Sequence, residues 1–115
     1  MEDNMVRNAI ITNVVDGDTF DANVNLGYGI IVSQRFRINR INTPEVFGAQ
    51  KEKGIVSKKF VAETFLNKNV LIINKGLDSF RRIIGEIYFI NSDNILINVA
   101  GLLVEKGLAE YRIYK

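Results

Sequence analysis

Four short stretches carry most of the residue types that can do chemistry: Asp16-Gly17-Asp18-Thr19, Phe36-Arg37-Ile38, Asn42-Thr43-Pro44-Glu45 and Arg81-Arg82. The chain contains neither histidine nor cysteine. Their absence removes imidazole bases, thiolate nucleophiles, disulfides and zinc sites of the usual ligand types. Proton chemistry in an enzyme built this way falls to carboxylates, and a bound metal would be a hard cation held by oxygen, such as calcium or magnesium. Asp16-Gly17 between apolar-rich segments is first of all a hairpin signal. An EF-hand loop starting at Asp16 is excluded, because its sixth position must be glycine and here is Asp21.

Strand alternation says where the other groups point. In Phe36-Arg37-Ile38 the two apolar residues share a core face, which sends Arg35 and Arg37 to the opposite, outer face. In the segment after Arg81-Arg82, Ile83, Gly85, Ile87 and Phe89 alternate with Ile84, Glu86 and Tyr88, so one arginine of the pair reaches the outer polar face; alternation selects Arg82. Pro44 biases Thr43 toward an extended conformation and restricts how Glu45 is presented. A surface arginine, a strand-ending turn and a hairpin account for each piece singly. They do not account for all of them together.

The elements that must position these groups are short. Ala9 to Val15, Thr19 to Leu26 and Ile30 to Ile41 read as three strands of a meander, turning at Asp16-Gly17 and Gly27-Tyr28-Gly29. From Gln50 to Asn67 the spacing becomes helical, with Ile55, Val56, Phe60, Ala62, Phe65 and Leu66 as the apolar face and Lys51, Lys58, Lys59 and Glu63 as the polar one. Val70 to Asn74 and Ile83 to Ile90 are two further strands. Asn94 or Asp93 then caps a helix running through Leu96, Val99, Leu103 and Lys106 to Gly107. The order β-β-β-α-β-β-α, five short strands with a helix between the third and fourth, is that of an OB-fold barrel, a common nucleic-acid platform.

Length and composition set the frame. A chain of 115 residues with 47% apolar residues predicts one domain over 1–115 with a compact core. The acidic start, Met1-Glu2-Asp3-Asn4-Met5, is unlike a secretory leader and no long apolar run follows, so the chain as written predicts a soluble cytoplasmic protein without a membrane span; a mature secreted form would read the same way. The net charge is only +2, but it is unevenly spread. Residues 1–30 carry five acids against Arg7, whereas 35–59 carry Arg35, Arg37, Arg40, Lys51, Lys53, Lys58 and Lys59 against Glu45 and Glu52. An acidic corner beside a basic surface suits a cation site next to a polyanion track, with Lys51 and Lys53 as candidate substrate contacts.

In this order, the pieces resemble the staphylococcal nuclease (thermonuclease) family over almost the whole chain. The matching stretches are Val14-Val15-Asp16-Gly17-Asp18-Thr19, Phe36-Arg37-Ile38 through Thr43-Pro44-Glu45, Arg82 before its strand, and Lys106-Gly107-Leu108-Ala109. The resemblance implies a nuclease that is calcium-dependent, magnesium fitting less well, that does not discriminate the sugar of DNA from that of RNA, and that leaves 3′-phosphate ends. It implies Asp18 as a carboxylate ligand to calcium, Asn42 at the place of the second carboxylate ligand, Thr43 as a carbonyl ligand, Glu45 as the acid that activates water, and Arg37 and Arg82 as the arginines that bind the phosphate. Tyr111 and Tyr114 align loosely with tyrosines lining the family's nucleotide pocket. Physically, a cation and two forked guanidiniums suit a reaction that concentrates negative charge on phosphate oxygens. Two departures stand out. Asn42 removes one negative charge, so metal affinity should fall unless Asp16 and Asp21 compensate. Lys115 ends the chain where relatives commonly continue into a further helix, so either that helix is dispensable here or stability has another source, such as a homodimer. A non-catalytic OB module that binds nucleic acid or protein is the competing expectation, and Asn42 favours it.

Overall fold

The β-branched and aromatic segments pair into strands, as their alternation predicts, and they curl into a barrel because each has one face to bury. In the computed structural model, residues 3–112 are described. Strand β1 (Asp3–Asp16) pairs antiparallel with both β2 (Thr19–Gly27) and β5 (Asn69–Leu77). Strand β3 (Ile30–Ile38) pairs with β2, and β5 pairs with β6 (Ile83–Ile90). A short parallel pairing of Phe36, Arg37 and Ile38 with Ile83, Ile84 and Gly85 joins β3 to β6 and closes five strands into a barrel of OB-fold type. Three short strands add to the expected order: β4 (Ile41–Asn42), β7 (Leu96–Asn98) and β8 (Glu110–Tyr111). Two helices, α1 (Lys51–Phe65) and α2 (Val99–Glu105), complete it. No helix among the described residues is long and apolar enough to cross a membrane.

The core runs along the inner faces. Ile11 and Val14 of β1, Phe20 and Ala22 of β2, Phe36 and Ile38 of β3, and Ile72 and Ile87 of β5 and β6 are all buried. Phe20 and Phe36 lie directly across from each other, with ring centroids 5.8 Å apart. Each such large side chain contributes about 1.5–3 kcal/mol on burial.

Three expectations need correction. The long third strand breaks after Ile38, because Arg40 adopts a left-handed φ of 69° before β4 begins. The second helix is capped by Asn98, whose side chain accepts from the Gly101 amide at 3.0 Å, and not by Asn94 or Asp93. Those two belong to the β6–β7 turn, where the Asn91 side chain accepts from the Asp93 and Ile95 amides. The face of α1 that packs inward is Gly54, Ser57, Val61 and Phe65, while Ile55, Val56 and Leu66 are exposed. In the first half of the helix small residues win, because at Gly54 it lies against main chain. A Cβ on Gly54 would stand 2.0 Å from the Glu45 carbonyl oxygen.

A candidate active site at the closing seam of the barrel

The β1–β2 hairpin delivers Asp16 and Asp18 to the end of the barrel. The turn needs glycine at position 17: a Cβ there would meet Ser57 Cβ and Thr43 Cγ2 at 2.9 Å. Asp18 is buried at 6% exposure, and its polar atoms are fully engaged. One oxygen accepts from the Thr43 amide at 2.9 Å and lies 3.4 Å from the Arg37 guanidinium; the other accepts from the Thr19 hydroxyl at 3.1 Å. Main chain holds it too, because the Ile38 amide donates to the Asp18 carbonyl at 2.8 Å.

The two carboxylates lie close together and shift each other in opposite directions. Burial, the hydrogen bond to Asp18 and the charge of Asp18 push Asp16 up to about 6. Burial also raises Asp18, but the hydrogen bond with Asp16, the Arg37 charge, the Thr43 amide and the Thr19 hydroxyl outweigh it and hold Asp18 below the usual carboxylate range. Like charges pressed together at a barrel end are relieved by a proton or by a cation.

Arg37 is buried at 8% exposure, not turned to an open outer face as alternation alone predicts. The barrel end explains this, since its guanidinium folds over the seam to Asp18, to the Ile38 carbonyl at 3.1 Å and to Asn42 Oδ1 at 3.0 Å. Arg82 enters from the turn before β6 and is partly buried. Its Nε donates to Asp78 at 2.7 Å, a terminal nitrogen reaches the Thr19 hydroxyl at 3.4 Å, and its guanidinium carbon stands 5.4 Å above the Phe80 ring. Thr19 thus bridges Asp18 and Arg82. Arg82 is the arginine of the pair that joins the cluster, while Arg81 is exposed.

Other candidates are placed around this cluster. Thr43 is buried, Asn42 is exposed and pairs with Arg37, and Glu45 is exposed beside Arg82 in a recess of about 750 Å³ that also contains Gln34, Arg35, Phe80 and Arg81. A second recess of about 570 Å³ is lined by Arg37, Asn42, Asp78, Phe80, Arg82 and Arg112, among others. Lys53 borders the Asn42-Thr43-Pro44 loop, whereas Lys51 lines a separate hollow at the start of α1. Asp21 lies apart from Asp18: its strand register sets it opposite Arg35, which binds it through two nitrogens at 2.7 and 3.1 Å. Tyr111 is exposed on β8, paired across from Ile41. Tyr114 lies outside the described residues.

Sequence reasoning missed three supports. Asp78 caps the 78–82 turn through the Phe80 and Arg82 amides and orients the Arg82 side chain; the only signal was its spacing from Arg82. Thr19 was seen as a turn residue and not as the bridge between Asp18 and Arg82. Glu86 was assigned to the outer face, yet it is buried at 5% exposure, binding Arg40, Asn39 and Asn98. Burial raises its carboxyl, but the hydrogen bonds from Arg40, Asn98 and Asn39 and the Arg40 charge prevail and hold it low.

For a hard cation, the donor chemistry available is two carboxylates, Asp16 and Asp18, with the amide oxygen of Asn42 and the carbonyl of Thr43. No group of three or more acidic, histidine or cysteine side chains suited to a metal occurs among the described residues. These oxygens are of the kind a hard cation takes, with fewer charges than an all-carboxylate cage.

Comparison with known proteins agrees with the geometry. A family model described as staphylococcal nuclease homologue matches residues 35–115. Ribonuclease TUDOR 2 of Arabidopsis thaliana is 32% identical over 92 residues, covering 79% of this chain and 9% of that protein. The chain thus spans about a tenth of that relative's length.

Proposed function

The chain belongs to the staphylococcal nuclease family, and we propose on that basis that it hydrolyses phosphodiester bonds in DNA, RNA or both. The observation that carries this reading is the chain Arg37–Asp18–Thr19–Arg82, an ion pair followed by two hydrogen bonds, which brings two guanidiniums from opposite sides of the barrel seam to one acidic centre. Two forked cations beside a carboxylate pair can bind an anionic phosphate and take up the charge that grows on its oxygens during attack. Glu45, exposed at the recess next to Arg82, is the group positioned to accept a proton from attacking water. Asp78 fixes the direction of Arg82, and Thr43 ties the Glu45 loop to Asp18.

The reading extends to calcium held by Asp18 and Asp16, with Asn42 and Thr43 supplying neutral oxygens, and to 3′-phosphate products. When bound, such an ion supplies Lewis acidity and charge neutralisation at the phosphate. Tyr111 and Lys53 are substrate contacts on this reading, and the substrate is a nucleic-acid strand. Incubation with plasmid DNA and with RNA, each with calcium or with chelator, tests it. Cleavage with calcium and none with chelator is expected; undiminished cleavage in excess chelator rules out the metal.

A second reading has one specific observation behind it. Arg37 is turned onto Asp18, Asn42 and the Ile38 carbonyl, so that its donors serve the protein, as in a barrel that binds without cutting. Strand binding with no product in the calcium arm of the same experiment would favour it.

A further inference from the structure

The 78–82 turn stands between two recesses that share only Phe80 and Arg82 among their lining residues. An internal phosphodiester has a neighbouring nucleotide on each side. If Arg82 holds the reacting phosphate, one recess lies on either side of it. We propose that the larger recess is a second phosphate subsite, in which Arg81, flanked by Gln34 and Arg35, holds the phosphate next along the strand. The proposal rests on the nuclease reading above and deepens it.

Three observations carry it. Arg81 is exposed, lines this recess, and its guanidinium has no hydrogen bond or ion pair among the described residues. It sits at φ 65°, a left-handed position that glycine would occupy without strain, in a turn pinned by Asp78 through the Phe80 and Arg82 amides at 2.8 and 2.9 Å. Arg35 is anchored by both Asp21 oxygens while its side chain stays 52% exposed, so it is a pre-oriented donor at the same recess. A cation whose charge is unspent beside the reacting phosphate has a strand's next phosphate as its natural counterion.

The subsite predicts that cleavage depends on a charged linkage on one particular side. The test uses thymidine trinucleotides with one of their two linkages replaced by neutral methylphosphonate, cut in calcium buffer at the other linkage. The wild-type chain should cut one isomer about tenfold more slowly than the other, the size of one lost charge-assisted contact. Arg81→Gly, which relieves the left-handed backbone and so keeps the fold, should cut both isomers at equal rates, and Arg81→Lys should restore part of the difference. Discrimination surviving in Arg81→Gly, or absent from the wild type, overturns the subsite. If no trinucleotide is cut, the subsite is judged by anisotropy of fluorescent octathymidylate across salt concentrations, and the nuclease reading itself fails only if plasmid DNA and RNA also stay intact in calcium. Arg81→Gly should then lower the slope of log Kd against log salt by about one contact, that is about 0.7. An unchanged slope overturns it.

Discussion

At the scale of single residues, burial separates the two arginines that the sequence treats alike. Arg37 shares a buried ion pair with Asp18, both side chains being 9% exposed. Removing one member leaves the other charge uncompensated, so Arg37→Ala should lose about 3 kcal/mol of stability along with its activity. Arg82 is 30% exposed and ion-paired to Asp78. Arg82→Ala should cost under about 1 kcal/mol in stability but about 10²-fold or more in rate, with Glu45→Ala behaving likewise. Urea unfolding and cleavage rates on the same preparations check this, and Lys59→Ala serves as the control. Asn42 changes meaning once its partner is seen. An aspartate there would repel Asp18, but it would also accept from Arg37, which Asn42 already binds at 3.0 Å. Asn42→Asp should therefore lower the calcium needed for half-maximal activity while leaving the thermal midpoint in chelator nearly unchanged. A calcium requirement identical to the wild type removes Asn42 from the ligand set. Asp16 supplies a pH test. Burial and the neighbouring Asp18 raise it from the ordinary 3.8 to about 6, so the folded state binds the proton more tightly, and stability is present at low pH and lost as pH rises through 6. With no histidine in the chain, the chelated protein's thermal midpoint should fall between pH 5 and 7, and Asp16→Asn should flatten that fall. A wild-type midpoint constant over this range would contradict the raised Asp16 carboxyl.

At the scale of elements, strands were legible and helix faces were not. Period-two alternation with β-branched residues marks a strand whatever it packs on, so Thr19–Gly27 and Ile83–Ile90 were read within a residue. Apolar spacing in α1 pointed to Ile55 and Val56 because it assumes that a helix buries its large residues. Here the Pro44–Glu45 main chain admits only Gly54, and Ser57 lies against Gly17 and donates its hydroxyl to the Leu108 carbonyl at 2.8 Å. The motif residues Asp18, Arg37 and Arg82 were readable because each sits at a strand end. Asp78 and Glu86 were not, since their partners are chosen by loop geometry that no period encodes. Gly54→Ala tests the contact. On an open helix surface it would gain about 1 kcal/mol, but against the Glu45 carbonyl it should cost about 1–3 kcal/mol and displace the Glu45 loop. Stability raised by this substitution would mean that the loop yields freely.

At the scale of the whole molecule, the site has no element of its own. Asp18 comes from the β1–β2 hairpin, Arg37 from β3, Arg82 from the turn before β6, and Glu45 from the loop that α1 holds down. The hairpins β1–β2 and β2–β3 are local in sequence, whereas the parallel β3–β6 ladder joins segments far apart and rests on three residue pairs. Distant pairings are the slow ones, because the loop entropy must be spent before the contact forms. Arg37 is itself one of the three paired residues, and Arg82 immediately precedes another. The centre is therefore a clock for folding: in stopped-flow refolding from urea, intrinsic tyrosine fluorescence and backbone circular dichroism should begin to recover before nucleic-acid binding does, and the last kinetic phase should slow when Gly85, where a Cβ would lie 2.9 Å from Ile87 Cδ1, is changed to alanine.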